Sequence, residues 1–192
     1  MLILVTGGAR SGKSKFAEKY TMHLGRKAVY IATAQIYDEE MKQRMELHQH
    51  RRDTSGYDWT TVLEPYELVS ILHKLNEQET APIVLVDCLT LWLTNWLLKW
   101  LEEQTIEHEL PRLLLHLEDL LEQLKMALAD YRGTVIMVTN EVGGGIVPEY
   151  PLGRVYRDWA GMMNQQLASL CDQVFLVTTG IPIELKRNAF HF

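Results

Sequence analysis

Cysteine is scarce. Only Cys88 and Cys171 occur in 192 residues, which excludes a disulfide framework. Both sit in or beside apolar segments, so the expectation is two reduced, buried thiols in a cytoplasmic protein. Long apolar runs are missing too. The most membrane-like stretch, 89–101, is interrupted by Asn95 and Lys99 and falls short of the roughly 20 residues needed to span a bilayer. No transmembrane segment is expected. The first apolar run, Leu2–Thr6, passes directly into a glycine-rich turn; it reads as a strand and not as a signal peptide. Positive charge is in deficit. Nineteen Lys and Arg against 25 Asp and Glu give a net charge of −6, which argues against a nucleic-acid partner. Repeats, low-complexity tracts and a domain linker are absent. Residues 1–192 therefore read as one domain of ordinary soluble composition, 47% apolar and 23% charged.

What is present is a phosphate-binding loop. Gly7-Gly8-Ala9-Arg10-Ser11-Gly12-Lys13-Ser14 satisfies GxxxxGK[ST] and lies between an apolar run and a segment of helical spacing (Phe16, Ala17, Tyr20, Leu24). The glycines let the backbone bring its N–H groups up to phosphate oxygens. Lys13 supplies a cation near the β- and γ-phosphates. Ser14 offers a hydroxyl to Mg²⁺ and opens a helix whose N-terminal dipole favours an anion. The motif predicts a nucleoside triphosphate site.

Strands are expected at Leu2–Thr6, Val29–Ala32, Ile83–Asp87, Thr134–Thr139, Val174–Val177 and Ile183–Lys186. Helices are expected at 14–24, 38–50, 65–76, 89–103, 108–131 and 152–171, and the stretch 52–58 reads as a polar, mobile loop. The alternation predicts an α/β fold with a mainly parallel sheet covered by helices on both faces. Ligands of such sheets bind at the carboxyl ends of the strands, where Thr33-Ala34-Gln35, Asp87 and Asn140-Glu141 also fall. Trp92, Trp96 and Trp100 share one helix face, either as core or as a surface for a subunit or an apolar ligand.

Asp87 ends an apolar strand, the place of a carboxylate that holds Mg²⁺, although capping of the following helix would also use it. His48 and His50 lie near the end of a polar helix with Arg44, Arg51 and Arg52 nearby. No carboxylate or cysteine completes a metal site there. Beside a phosphate loop, a neutral imidazole can serve as a nucleophile toward phosphorus and arginines can neutralise the transferred group; a solvated helix end is the plain alternative. The run 140–148 is a glycine-rich loop able to approach a ligand or to move. Arg154 and Arg157 share a face and either clamp phosphate or pair with acidic neighbours.

Taken together, ILVTGGARSGKS at the start, YIATAQ at 30–35, DEEMKQRMELHQHRR at 38–52, VDCLTLWLTN at 86–95, VTNEVGGGIVP at 138–148 and RVYRDWAGMMNQQLA at 154–168 resemble the bifunctional adenosylcobinamide kinase / adenosylcobinamide-phosphate guanylyltransferase family of cobalamin biosynthesis. The resemblance implies a P-loop, RecA-like fold, a homotrimer, Mg²⁺, and two reactions. ATP or GTP would phosphorylate adenosylcobinamide. GTP would then guanylylate a histidine, and GMP would pass to adenosylcobinamide phosphate to give adenosylcobinamide-GDP. The family's nucleophile lies four residues from an arginine on either side. Arg44, His48 and Arg52 fit, which implies His48, with His50 as second choice. Gln49, His50, Arg51, Arg52 and Thr33–Gln35 would contact the nucleotide. So would Glu64, although Leu63 stands where relatives often carry the first of two adjacent acids. Two other readings stay open: a small-molecule kinase without covalent guanylylation, and a nucleotide-dependent switch. The missing Asn-Lys-x-Asp element counts against the switch.

Overall fold

The computed structural model describes residues 1–35, 39–103 and 106–190. Its strands are β1 (Leu2–Thr6), β2 (Lys27–Ala32), β3 (Asp58–Leu63), β4 (Ile83–Asp87), β5 (Val135–Val138), β6 (Gln173–Thr178) and β7 (Ile181–Glu184). Its helices are α1 (Lys13–Leu24), α2 (Glu39–Asp53), α3 (Leu68–Asn76), α4 (Leu89–Glu103), α5 (Ile106–Asp130) and α6 (Pro151–Leu170). One seven-stranded sheet runs in the order β3-β2-β4-β5-β1-β6-β7. All pairs are parallel except β6 with β7. The expected mainly parallel α/β sheet is borne out. β1 and β5 are buried along their whole length, as apolar strands covered on both faces must be.

Two apolar clusters fill the two faces. One packs α3, α4, α5 and α6 against the sheet through residues such as Leu72, Trp92, Leu124 and Met163. The other packs α1 on the opposite face around Ile3, Val5, Ala17 and Leu85. Among the described residues no helix is long and apolar enough to cross a membrane. Both cysteines are free and buried.

Three expectations need correction. The 52–58 stretch is not a loop throughout: α2 continues to Asp53 and β3 starts at Asp58. β3 itself went unpredicted. It is an edge strand, only partly buried, and so lacks the continuous apolar run that marks the inner strands. The last strand is β7 at Ile181–Glu184 rather than 183–186, because it forms an antiparallel hairpin with β6 across Thr179-Gly180. The tryptophan stripe packs against the core of this chain. Trp92 is 2% exposed, and Trp96 and Trp100 pack against the same core with His116 of α5 at 5.4 and 5.1 Å.

Asn95 interrupts that apolar helix for a reason. It is wholly buried, and its Nδ2 donates to the Thr33 carbonyl at 2.7 Å and the Pro65 carbonyl at 3.0 Å. It thereby ties α4 to the segments leaving β2 and β3. Asn95→Leu leaves both carbonyls without that donor and is expected to cost about 2–4 kcal/mol of stability, measured by urea denaturation.

Candidate active site

The phosphate loop joins β1 to α1 at the carboxyl end of the sheet's middle. Gly12 has φ +95°, and a Cβ there would lie 3.2 Å from the Gly180 Cα. At Gly7 a Cβ would collide with the Val177 carbonyl oxygen and stand 2.7 Å from Ser11 Oγ. Glycine is thus required at both positions by the approach of the β6–β7 hairpin, whereas Gly8 faces open space. The Gly180 N–H donates to the Ser11 carbonyl at 2.8 Å and locks the loop to that hairpin.

A cavity of about 450 Å³ opens beside the loop, a size suited to a small-molecule ligand. Ala9, Arg10, Lys13 and Ser14 line it from the loop, Ala34 and Asp87 from the strand ends, and His48, Gln49 and Arg52 from α2. The fold therefore brings the phosphate loop, the strand-end carboxylate and the α2 histidine to one place. Tyr30, Ala32, Met45, Leu63, Cys88, Leu91 and Asn140 complete the wall.

Other residues expected at the site do not line this cavity. His50 is exposed, and its carbonyl accepts from Thr54. Thr33 is buried and pins the wall instead. Its Oγ1 donates to the Cys88 carbonyl at 2.7 Å and accepts from the Cys88 N–H at 2.9 Å. Glu64 Oε1 accepts the N–H groups of Tyr66 and Glu67 at 2.9 and 3.0 Å, which organises the start of α3; Leu63 faces the cavity in its stead. Gln35 also stands outside the lining. Arg51 turns toward α1, where its Nη2 donates to Glu18 Oε2 at 2.6 Å. Asp38 and the side chain of Arg44 lie outside the described residues.

The electrostatics suit an anion. Lys13 is 8% exposed, and Nζ donates to the Gly8 carbonyl at 3.0 Å. Burial lowers its pKa below the usual lysine value, and the charge of Asp87 pulls it back only in part. Arg52 is 4% exposed, with its guanidinium 3.6 Å from the centre of the Tyr30 ring. Its Nε and Nη1 are buried without a hydrogen-bond partner among the described residues. A buried cation with unspent donors at a cavity wall is an anion site awaiting an acceptor.

Tyr30 lies on the apolar strand β2 and opens the YIATAQ stretch. Its hydroxyl donates to Asp87 Oδ2 at 2.9 Å, so one side chain supports both Arg52 and the carboxylate. Burial and the Asp87 charge push its phenol well above the usual tyrosine range, and it stays a donor. Burial likewise pushes the Cys88 thiol up to about 11.

The glycine-rich loop is anchored at both ends. The Asn140 carbonyl accepts from Asn164 Nδ2 at 3.1 Å, and the Asn140 amide donates to Thr90 at 2.7 Å. Arg154 donates to the carbonyls of Pro148 and Glu149 at 3.1 and 2.5 Å. Arg157 lies 3.7 Å from Asp158. Arg154 therefore fastens the loop, and Arg157 has an acidic neighbour.

The sequence is 42% identical to the bifunctional adenosylcobalamin biosynthesis protein CobP of Pseudomonas aeruginosa, over 95% of this chain and 96% of that one. It is 39% identical to the corresponding protein CobU of Escherichia coli, over 97% of this chain and 100% of that one. An ATPase from the type III secretion system of pathogenic bacteria is similar at a TM-score of 0.50 and 12% identity, covering 99% of this chain and 58% of its own. That last likeness concerns the fold alone, which is the P-loop, RecA-like one. Residues 3–185 match the family described as cobinamide kinase / cobinamide phosphate guanyltransferase, and the chain belongs to that family.

Proposed function

We propose that this chain, as a single catalytic domain, phosphorylates adenosylcobinamide with ATP or GTP and then transfers GMP from GTP, through guanylylated His48, to adenosylcobinamide phosphate. The product is adenosylcobinamide-GDP. The observation that carries the reading is the shared cavity, lined by Lys13 and Ser14 on one side and by His48 and Arg52 on the other. A kinase needs only the first pair with an aligned hydroxyl. The second pair adds a nucleophile and a cation for the transferred group.

In the first reaction the loop N–H groups and Lys13 hold the triphosphate and neutralise charge on the γ-phosphoryl as the hydroxyl of the corrinoid side arm attacks. In the second, His48 attacks the α-phosphorus of GTP and pyrophosphate leaves. The phosphate of adenosylcobinamide phosphate then takes GMP from the histidine. Arg52, with free donors, suits the nucleotide's phosphate.

The donor set fits Mg²⁺. Ser14 offers a hydroxyl and Asp87 a carboxylate at the cavity. Mg²⁺ suits one carboxylate with waters and substrate phosphates. When bound, it would neutralise phosphate charge. Asp87→Asn removes the carboxylate's charge but keeps an acceptor for Tyr30. The Mg²⁺ concentration for half-maximal rate is expected to rise about tenfold or more in both reactions. An unchanged Mg²⁺ titration would remove Asp87 from this role. The reading also includes a cytoplasmic homotrimer, which sedimentation tests for assembly.

Incubation with α-labelled GTP followed by denaturing electrophoresis tests the whole. Label is expected on the protein chain, acid-labile as a phosphoramidate is. A chain that phosphorylates adenosylcobinamide but never takes up label is a kinase only.

A further inference from the structure

Glu18 has no place in the phosphate-loop motif, yet its carboxylate is held inside the protein. It lies on α1, 6% exposed. Oε2 takes the 2.6 Å hydrogen bond from Arg51 Nη2. Oε1 is buried without a hydrogen-bond partner among the described residues, and His48 Nδ1 stands 3.9 Å from it. We propose that Glu18 is the positioning residue for His48: the 3.9 Å ion-pair contact closes by about 1 Å to a hydrogen bond donated by Nδ1–H to Oε1, which leaves the Nε2 lone pair for the nucleotide. The proposal rests on the reading of His48 as nucleophile.

Arg51 competes for the same nitrogen. Its Nη2 lies 3.5 Å from His48 Nδ1, the outer limit of a hydrogen bond. A guanidinium only donates, so this contact needs a lone pair on Nδ1. The stronger demand comes from the carboxylate. Leaving one oxygen of a buried charge unpaired costs more than losing a long, marginal contact. Burial pushes the Glu18 carboxyl up, but the neighbouring His48 and the hydrogen-bonded Arg51 bring it below the usual carboxylate range. The acceptor is therefore ionised at neutral pH, and the proton belongs on Nδ1. A carboxylate behind an imidazole fixes tautomer and orientation in this way.

The chemistry uses the same pair throughout. The Nε2 lone pair forms a bond to the α-phosphorus while the bond to the bridging oxygen breaks, and pyrophosphate departs with that electron pair. The imidazole now carries Nδ1–H and a substituted Nε2, hence a positive charge, with Glu18 beside it. When an oxygen of adenosylcobinamide phosphate attacks the same phosphorus, the N–P electrons return to Nε2. Nδ1 keeps its proton from start to finish.

The test reads the tautomer and the rate separately. In protein labelled with ¹⁵N-histidine, His48 (assigned by its loss in His48→Asn) is expected as the Nδ1–H form when neutral. In Glu18→Gln the amide oxygen stays with Arg51, because Arg51 must donate. The NH₂ then faces Nδ1 and drives the proton to Nε2. Covalent GMP formation at saturating GTP is expected to slow about 30-fold or more, with the half-saturating GTP concentration moving less than about 3-fold. An Nε2–H tautomer in the unsubstituted protein overturns the proposal, as does a Glu18→Gln rate within about 3-fold of the parent. Loss of GTP affinity in step with rate also overturns it, in favour of general packing. If Glu18→Gln does not fold, the tautomer of the unsubstituted protein decides alone. A GMP adduct surviving in His48→Asn refutes the nucleophile assignment, while the tautomer still reports on the Glu18 contact.

Discussion

His48→Asn is expected to lose covalent GMP labelling and formation of adenosylcobinamide-GDP, each by at least about 10³-fold, while phosphorylation of adenosylcobinamide continues at a measurable rate. Asparagine keeps polarity and some size but has no ring nitrogen to attack phosphorus. The side chain is 38% exposed at the cavity wall, so little core packing is lost with it. Phosphoryl transfer to an external hydroxyl needs no enzyme nucleophile and should survive. His50→Asn is the control, since His50 is exposed and outside the cavity lining; it should label normally. An adduct that survives in His48→Asn and vanishes in His50→Asn moves the nucleophile. Survival in both ends the histidine mechanism.

Lys13→Ala should depress both reactions together, by about 10²–10³-fold each, with the fold retained by circular dichroism. Both involve a triphosphate seated on the same loop, and both displace a phosphate-bearing leaving group. The buried position of Lys13 matters here. An ammonium shielded from water acts on phosphate charge more strongly than one in bulk solvent. Its Nζ donates to the Gly8 carbonyl, and alanine favours the helix that starts at this residue. Near-normal turnover in a folded variant would exclude the role. Loss of one reaction alone would mean that the two use different phosphate seats.

The inner sheet was legible because its strands are continuous Val, Ile and Leu runs, and the phosphate loop because its chemistry is written in adjacent residues. β3 was not, since Trp59, Thr60 and Thr61 sit on a half-covered edge and make no unbroken apolar run. The residues at the cavity that went unread share one property: their role depends on a neighbour distant in sequence. Tyr30 meets Asp87 57 positions on. Glu18 meets Arg51 33 positions on, and in sequence it is one more charge on an amphipathic helix. Glu64 shows the converse. Its place in a motif suggested a ligand contact, and the local backbone of 64–67 gave its carboxylate another partner.

The two thiols equip the protein with native reporters. Cys88 follows β4 at the cavity end of the sheet, and Cys171 precedes β6 at the opposite end. Both are buried, and burial pushes them up to about 11 and about 12, where almost no thiolate exists near neutrality. A thiol reagent therefore registers excursions from the native state rather than the native state itself. Mass spectrometry distinguishes the two sites within one unaltered molecule. The same sample thus yields two clocks, one for loosening at the nucleotide end and one for loosening at the far end, with no introduced probe.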